Sequence, residues 1–212
     1  MGEALAAQAA GRQPQGPMLL AGVGPAGAAL AYAAAEALEL RGGRSVSVLL
    51  VDGSPSAGDA AEATSRVAYD LLCGEGGAPR MSYATFSAGL FSARGVEELV
   101  ERCGLAPAGT VAGEWSATVA AEAGRAAEVV RLRDARWPGG RLPELRATAL
   151  LLYPIDQQGA RLARETQQAV RGPLRMIGQG WSHGEALRDA GRREDLAVAV
   201  AEAVRALISE WR

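Results

Sequence analysis

The sequence predicts an α/β fold with three layers, in which helices cover both faces of a mostly parallel sheet. Two observations support this prediction. Short apolar segments of strand length recur along the chain, and segments with helical periodicity alternate with them. The chain has 212 residues, enough for one domain with a substantial core. We expect residues 1–16 to form a flexible tail and residues 17–212 to form that single domain.

The composition excludes several classes of protein. A net charge of −2 gives no basic surface for nucleic acid, so a nucleic-acid partner is not expected. No apolar run reaches the roughly 18 residues of a membrane-spanning helix. The first residues lack the basic and then apolar pattern of a secretory signal, and two cysteines make no disulfide framework. These features predict a cytoplasmic protein.

The elements follow from hydrophobic periodicity and from turn residues. β-branched and apolar runs predict strands at 18–21, 45–52, 147–154 and 173–180, and the alternation of "EVVRLR" predicts another at 128–133. Helix-forming runs predict helices at 28–40, 60–72, 94–105, 156–171, 182–191 and 193–211. In the last helix, the apolar side chains that we expect to face the sheet are Leu196, Val200, Val204, Leu207, Ile208 and Trp211.

A glycine cluster, "GVGPAG", lies between the first predicted strand and the first predicted helix. It matches the pattern G-x-G-x-x-G, in which backbone N–H groups at a helix start face a phosphate. Gly22, Gly24 and Gly27 are therefore candidate cofactor-binding residues, together with Asp52 at the end of the second strand. The alternative is that the glycines only allow a tight turn between strand and helix.

Residues 21–55, "AGVGPAGAALAYAAAEALELRGGRSVSVLLVDGSP", resemble the start of the ParA/MinD-type P-loop ATPases. That family has a G-G-V-G-K-T-T loop, an alanine-rich helix and a strand ending in "VLLVD" before a proline-containing loop. The predicted order of the last strands and helices is also similar to the family's order. This sequence departs from the family at Pro25 and Ala26, which replace the lysine and threonine that contact phosphate and Mg²⁺.

The resemblance implies a degenerate ATPase that is not an enzyme. All 22 basic residues are arginine, so no lysine is available to replace the missing one. Phosphoryl transfer would lose its main electrostatic stabilisation. We expect no bound cofactor, or at most a remnant site for ATP or ADP. The protein would act as a localisation or assembly factor by binding a protein partner, such as a paralogous ATPase or a secretion or partition component, and a homodimer is plausible.

The glycine cluster supports a second interpretation from a different class. "GVGPAGAALAYAAAEAL" resembles the opening of FAD-dependent oxidoreductases, which run G-x-G-P-A-G before an alanine-rich helix. The chain would then be a small FAD- or NAD(P)-binding oxidoreductase in which Asp52 binds the ribose. Against this, Asp52 lies further from Gly27 than the roughly 20 residues usual for the acidic partner.

Other candidate residues have simpler explanations. His183 lies beside Ser182 and near Glu185, but no G-x-S-x-G motif accompanies it, so a histidine at the surface or at a helix start is expected. Asp52 and Asp59 could hold a metal beside a phosphate, or Asp52 could cap the loop that follows its strand. We expect no metal site. Cys73 and Cys103 are expected in the core. The arginine-rich region 125–146 predicts either a partner-binding surface or a solvated charged face.

Overall fold

A computed structural model describes residues 2–12, 15–42, 44–55, 59–72, 85–86, 98, 112–138, 142–155, 157–181, 190–209 and 211. Within these ranges the main elements are four strands and six helices. The strands are β1 (Met18–Val23), β2 (Val46–Val51), β3 (Thr148–Pro154) and β4 (Leu174–Gln179). The helices are α1 (Gly2–Arg12), α2 (Gly24–Arg41), α3 (Ala60–Leu72), α4 (Ala112–Arg136), α5 (Gln157–Ala169) and α6 (Ala190–Ser209). None of these helices is long and apolar enough to cross a membrane.

The four strands form one parallel sheet in the order β1-β2-β3-β4, which confirms the predicted fold class. The register pairs Val23 with Val51, so β1 and β2 end side by side. All six residues of β2 are buried, as expected for a parallel strand covered on both faces. Because all four strands point the same way, the turns that follow them meet at one edge of the sheet.

Helices cover both faces of the sheet, as predicted. On one face, α2 and α5 pack on alternate strand residues that include Val48, Leu50 and Leu151. On the other face, α6 packs on Leu49 and Leu150 through a row of its own apolar side chains. That row includes Leu196, Val200, Val204 and Leu207, as the sequence predicts.

The end of α6 differs in part from the prediction. Ile208 is 43% exposed and so does not face the sheet. Trp211 lies near the sheet through its indole, whose Nε1 donates to Ser47 Oγ at 2.9 Å.

Helix α2 lies close to the sheet because its buried face is almost entirely alanine. The large exceptions are Leu38 and Tyr32. The Tyr32 hydroxyl lies against the carbonyl oxygens of Ala169, at 2.8 Å, and Pro143. Its ring packs edge-on against Trp137 with the centroids 5.8 Å apart. Burial raises the pKa of Tyr32 above its usual range. Tyr32 therefore joins α2 to the end of α5 and to the segment that follows α4.

Two segments differ from the predicted elements. Residues Gly2–Arg12, within the predicted tail, form α1, which buries Ala6 against α2. The predicted strand at 128–133 is wrong, because these residues lie within α4. Val130 and Arg133 are both buried, three residues apart on one helical face. Because Arg133 occupies a core position, the apolar residues of this segment do not show the helical period. Their order instead resembles the alternation of a strand.

The remaining elements agree with the sequence. The strands predicted at 45–52, 147–154 and 173–180 are confirmed, as are the helices at 60–72 and 156–171 within a few residues. The predicted helices at 94–105 and 182–191 lie almost wholly outside the described residues, as do Cys73 and Cys103.

Candidate functional site

The turn between β1 and α2 is tighter than the predicted glycine loop. Val23 is the last residue of β1 and Gly24 is the first of α2, so no residue separates the strand from the helix. Gly24 is buried and has a φ of +65°, whereas Val23 has extended backbone angles and is 54% exposed. Pro25 lies in the first helical turn, where its fixed φ favours the helix start.

Close backbone contacts explain two of the glycines around this turn. A Cβ atom on Gly22 would lie 2.2 Å from the carbonyl oxygen of Gly27, so strand and helix can approach only because position 22 has no side chain. A Cβ atom on Gly53 would lie 2.2 Å from the carbonyl oxygen of Gly24. The turn after β2 therefore packs directly against the turn after β1, and the structure brings Gly22, Gly24 and Gly27 together with the neighbour of Asp52.

Asp52 lies in the turn after β2 and is fixed from several directions. It has a φ of +49°, its side chain is 3% exposed, and its N–H donates to the Leu152 carbonyl at 2.8 Å. Its Oδ2 lies 3.7 Å from an Nη atom of Arg66, on α3. Arg133, on α4, donates to the Pro55 carbonyl at 3.5 Å. Two largely buried arginines thus hold the ends of a turn whose residues are all buried.

Trp181 follows β4 at the same edge of the sheet. It lines a narrow pocket together with Asp52, Tyr153 and Gln179. The chain therefore passes close to Asp52 just before residue 182. Residues 182–189, including Ser182, His183 and Glu185, lie outside the described residues, so the prediction for His183 stays a prediction.

Asp59 has a local role. Its Oδ1 accepts a hydrogen bond of 2.8 Å from the backbone N–H of Glu62, which caps the start of α3. Across the part of the chain that the structure describes, no three His, Cys, Asp or Glu side chains group as metal ligands. The geometry therefore assigns Asp59 to helix capping.

The arginine-rich region divides into paired and buried groups. Arg136 forms an ion pair of 2.8 Å with Glu36, which joins α4 to α2. Arg131 pairs with Glu128 on the exposed face of α4, whereas Trp137 is buried against Tyr32. Arg131 therefore belongs to a solvated pair, Arg136 to a partly buried pair between two helices, and Trp137 to the core.

The first turn shares its direct junction of strand and helix with a known catalytic turn. In the G-x-S-x-G motif, a serine sits on a sharp, strained turn between a strand and a helix, and the N–H of the next residue helps to bind the oxyanion. Here Gly24 occupies the central position and has no hydroxyl, and Pro25 follows it and has no N–H. Ala26 stands in place of the second glycine of the motif. The likeness is not visible as a motif in the sequence, because both the serine and the last glycine of G-x-S-x-G are replaced.

No protein-family model matches this chain, and no curated protein matches it. Solved structures do match its fold. One is the Vlm2 thioesterase domain carrying genetically encoded 2,3-diaminopropionic acid and bound with a dodecadepsipeptide. It has a TM-score of 0.51 and 18% identity, over 89% of this chain and 67% of that chain.

A second match is holo-AB3403, a four domain nonribosomal peptide synthetase bound to AMP and glycine. It has a TM-score of 0.56 and 19% identity, over 96% of this chain and 15% of that chain. At these identities the similarity describes the fold alone.

Proposed function

We propose that this chain is a non-hydrolytic relative of the thioesterase-type α/β hydrolases, and that it binds an acyl- or peptidyl-bearing partner without forming an acyl-enzyme. The observation that carries the proposal is the turn at Gly24. It has the position and the positive φ of a nucleophile turn, but neither the nucleophile nor the following N–H. The Vlm2 thioesterase domain is one of the structures with a similar fold.

The order of residues along the chain supports the same proposal. In α/β hydrolases the catalytic residues follow the order serine, acid, histidine. Here the corresponding order is Gly24, Asp52 and His183, each placed in sequence at or shortly after the end of a strand. Asp52 lies beside the Gly24 turn through Gly53, and Trp181, two residues before His183, lines a pocket with Asp52.

The ParA/MinD-like interaction factor and the FAD- or NAD(P)-binding oxidoreductase stay predictions. A phosphate-binding loop uses several backbone N–H groups between strand and helix, and here Val23 and Gly24 are consecutive. The direct junction of strand and helix therefore favours the hydrolase-type proposal. Like the ParA/MinD-like prediction, this proposal has the protein act by binding a partner. Flavin absorbance near 450 nm in the purified protein would support the oxidoreductase, and a thermal shift with ATP or ADP would support the ATPase relative.

The proposal is tested by covalent labelling with an alkyl fluorophosphonate, followed by intact-mass measurement. A serine hydroxyl forms a P–O bond, the P–F bond breaks, fluoride leaves, and the hydroxyl proton passes to a nearby base or water. We expect no adduct on the unmodified protein and one adduct at position 24 in Gly24→Ser. Peptide mapping locates the adduct.

Val23→Ser is the matched control, because it places a hydroxyl one residue earlier, at the exposed last position of β1, where the backbone is extended. Circular dichroism checks that both variants fold, since a serine with positive φ costs about 1–2 kcal/mol. Labelling of the unmodified protein at any serine, or equal labelling of the two variants, would contradict the proposal.

A further inference from the structure

A cleft beside the Gly24 turn has the properties of a ligand site. It lies between α1, α2 and the outer edge of β1, and its volume is about 420 Å³. This volume is within the range of about 300–1,000 Å³ that is usual for sites of small molecules. Gly22, Val23 and Gly27 form part of its wall, so the cleft adjoins the turn described above.

The walls of the cleft are mainly apolar. Leu20 and Leu30 contribute from β1 and α2, and Leu5 and Ala9 contribute from one face of α1. Two further alanines of α2 complete that side without filling the space. An unbranched hydrocarbon chain suits such a surface, because its burial is favourable and needs no hydrogen-bond partner.

The charged residue of the cleft indicates which polar group the ligand carries. Arg12 lies four residues after Gln8 on α1, and both line the cleft. Among the described residues that line it, Arg12 is the one charged side chain. Arg12 is exposed, and the ion pairs of the described part of the chain do not include it. A carboxylate can therefore bind to its guanidinium while the hydrocarbon chain enters the cleft.

We infer that this cleft binds an unbranched fatty acid of medium length, with its hydrocarbon chain in apolar contacts and its carboxylate at Arg12. This ligand is distinct from the acyl group of the proposed function, which is esterified to a partner and has no free carboxylate, and it is supported by the shape and the charge of the cleft alone. Because the turn beside it lacks a nucleophile, the ligand would be held and released unchanged.

The first test is isothermal titration of the full-length protein with hexanoate, octanoate, decanoate and dodecanoate. We expect the dissociation constant to fall about fourfold for each added methylene until the cleft is full, and then to stay constant. This series uses the unmodified protein, so it does not depend on the folding of a variant. Absence of saturable decanoate binding, or binding that does not change with chain length, would overturn the inference.

Two phenylalanine variants of α1 locate the binding. Ala9→Phe places a ring in the cleft, whereas Ala7→Phe places the same ring on an exposed position that does not line it. We expect the first variant to lose decanoate binding and the second to keep it, with both helical by circular dichroism. Equal binding by both variants would overturn the inference. So would a dimer that Ala9→Phe converts to a monomer, because a second copy would then occupy the cleft.

Arg12→Gln tests the head group. We expect it to weaken decanoate binding about tenfold and to leave the binding of the neutral 1-decanol unchanged. An equal effect on both ligands would contradict the assigned position of the carboxylate. Labelling of the unmodified protein by fluorophosphonate would defeat the proposed function but leave these binding results intact, so the two failures can be distinguished.

Discussion

The turns after β1 and β2 lie in contact, but they differ in what they retain. The turn after β1 joins strand and helix directly, as a nucleophile turn does, but it lacks both reactive groups of such a turn, because Gly24 has no hydroxyl and Pro25 has no N–H. The turn after β2 retains its acidic residue, Asp52, which is buried and lies 3.7 Å from Arg66. A tight junction of strand and helix can therefore be present where the catalytic groups it could carry are absent. We infer that Asp52 here stabilises the fold.

The largest expected effect comes from breaking the buried pair in the second turn. Arg66→Leu removes the ion pair that the buried Asp52 carboxylate makes at 3.7 Å, so we expect the free energy of unfolding to fall by about 3 kcal/mol. Urea denaturation followed by tryptophan fluorescence measures this change. If Asp52 has a structural role, the double variant Arg66→Leu/Asp52→Asn recovers most of the loss, because it removes the buried charge and asparagine tolerates the positive φ at position 52.

An exposed pair provides the control for this measurement. Arg171 and Glu144 lie 3.0 Å apart and are both mostly exposed, so Arg171→Leu leaves the urea midpoint nearly unchanged. An equal shift for Arg66→Leu and Arg171→Leu would show that the buried pair does not hold the turn.

A smaller effect is expected from separating the two turns. Gly53→Ala forces a methyl group against the carbonyl of Gly24, and relief of this contact needs a backbone shift that costs about 2 kcal/mol. Thermal and urea unfolding measure the loss. Gly180→Ala is the matched control, because a Cβ atom there would have no neighbour within 4 Å. Equal stability of the two variants would show that the turns do not pack as described.

The sequence predicts the sheet and most of its helices because apolar strands and alanine-rich helices carry clear periodic signals. It fails at 128–133, where Arg133 occupies a core position within α4 and breaks the helical pattern. The buried partner of that side chain, the Pro55 carbonyl, is 78 residues away, and such a distant contact leaves no local signal.

The sequence identifies residues of the candidate site but not the kind of turn that they form. Gly22, Gly24 and Gly27 were singled out for phosphate binding, and the structure brings them together around one tight turn. Phosphate loops and nucleophile turns both need glycines where a strand meets a helix, because both need close backbone approach. The pattern therefore cannot separate them. The spacing between strand and helix, which favours one over the other, appears only in three dimensions.

The turn after β1 lacks a hydroxyl at Gly24 and an N–H at Pro25, and each group can be restored separately. The measurement is the rate of p-nitrophenyl acetate cleavage by the unmodified protein, Gly24→Ser, Pro25→Ala and the double variant. We expect the unmodified protein and Pro25→Ala to match the buffer, and Gly24→Ser to be acylated slowly. In the double variant the recovered N–H can bind the oxyanion, so we expect acylation to be about 10²–10³-fold faster than in Gly24→Ser. Cleavage above background by the unmodified protein, or no gain from Pro25→Ala in the serine background, would contradict the claim.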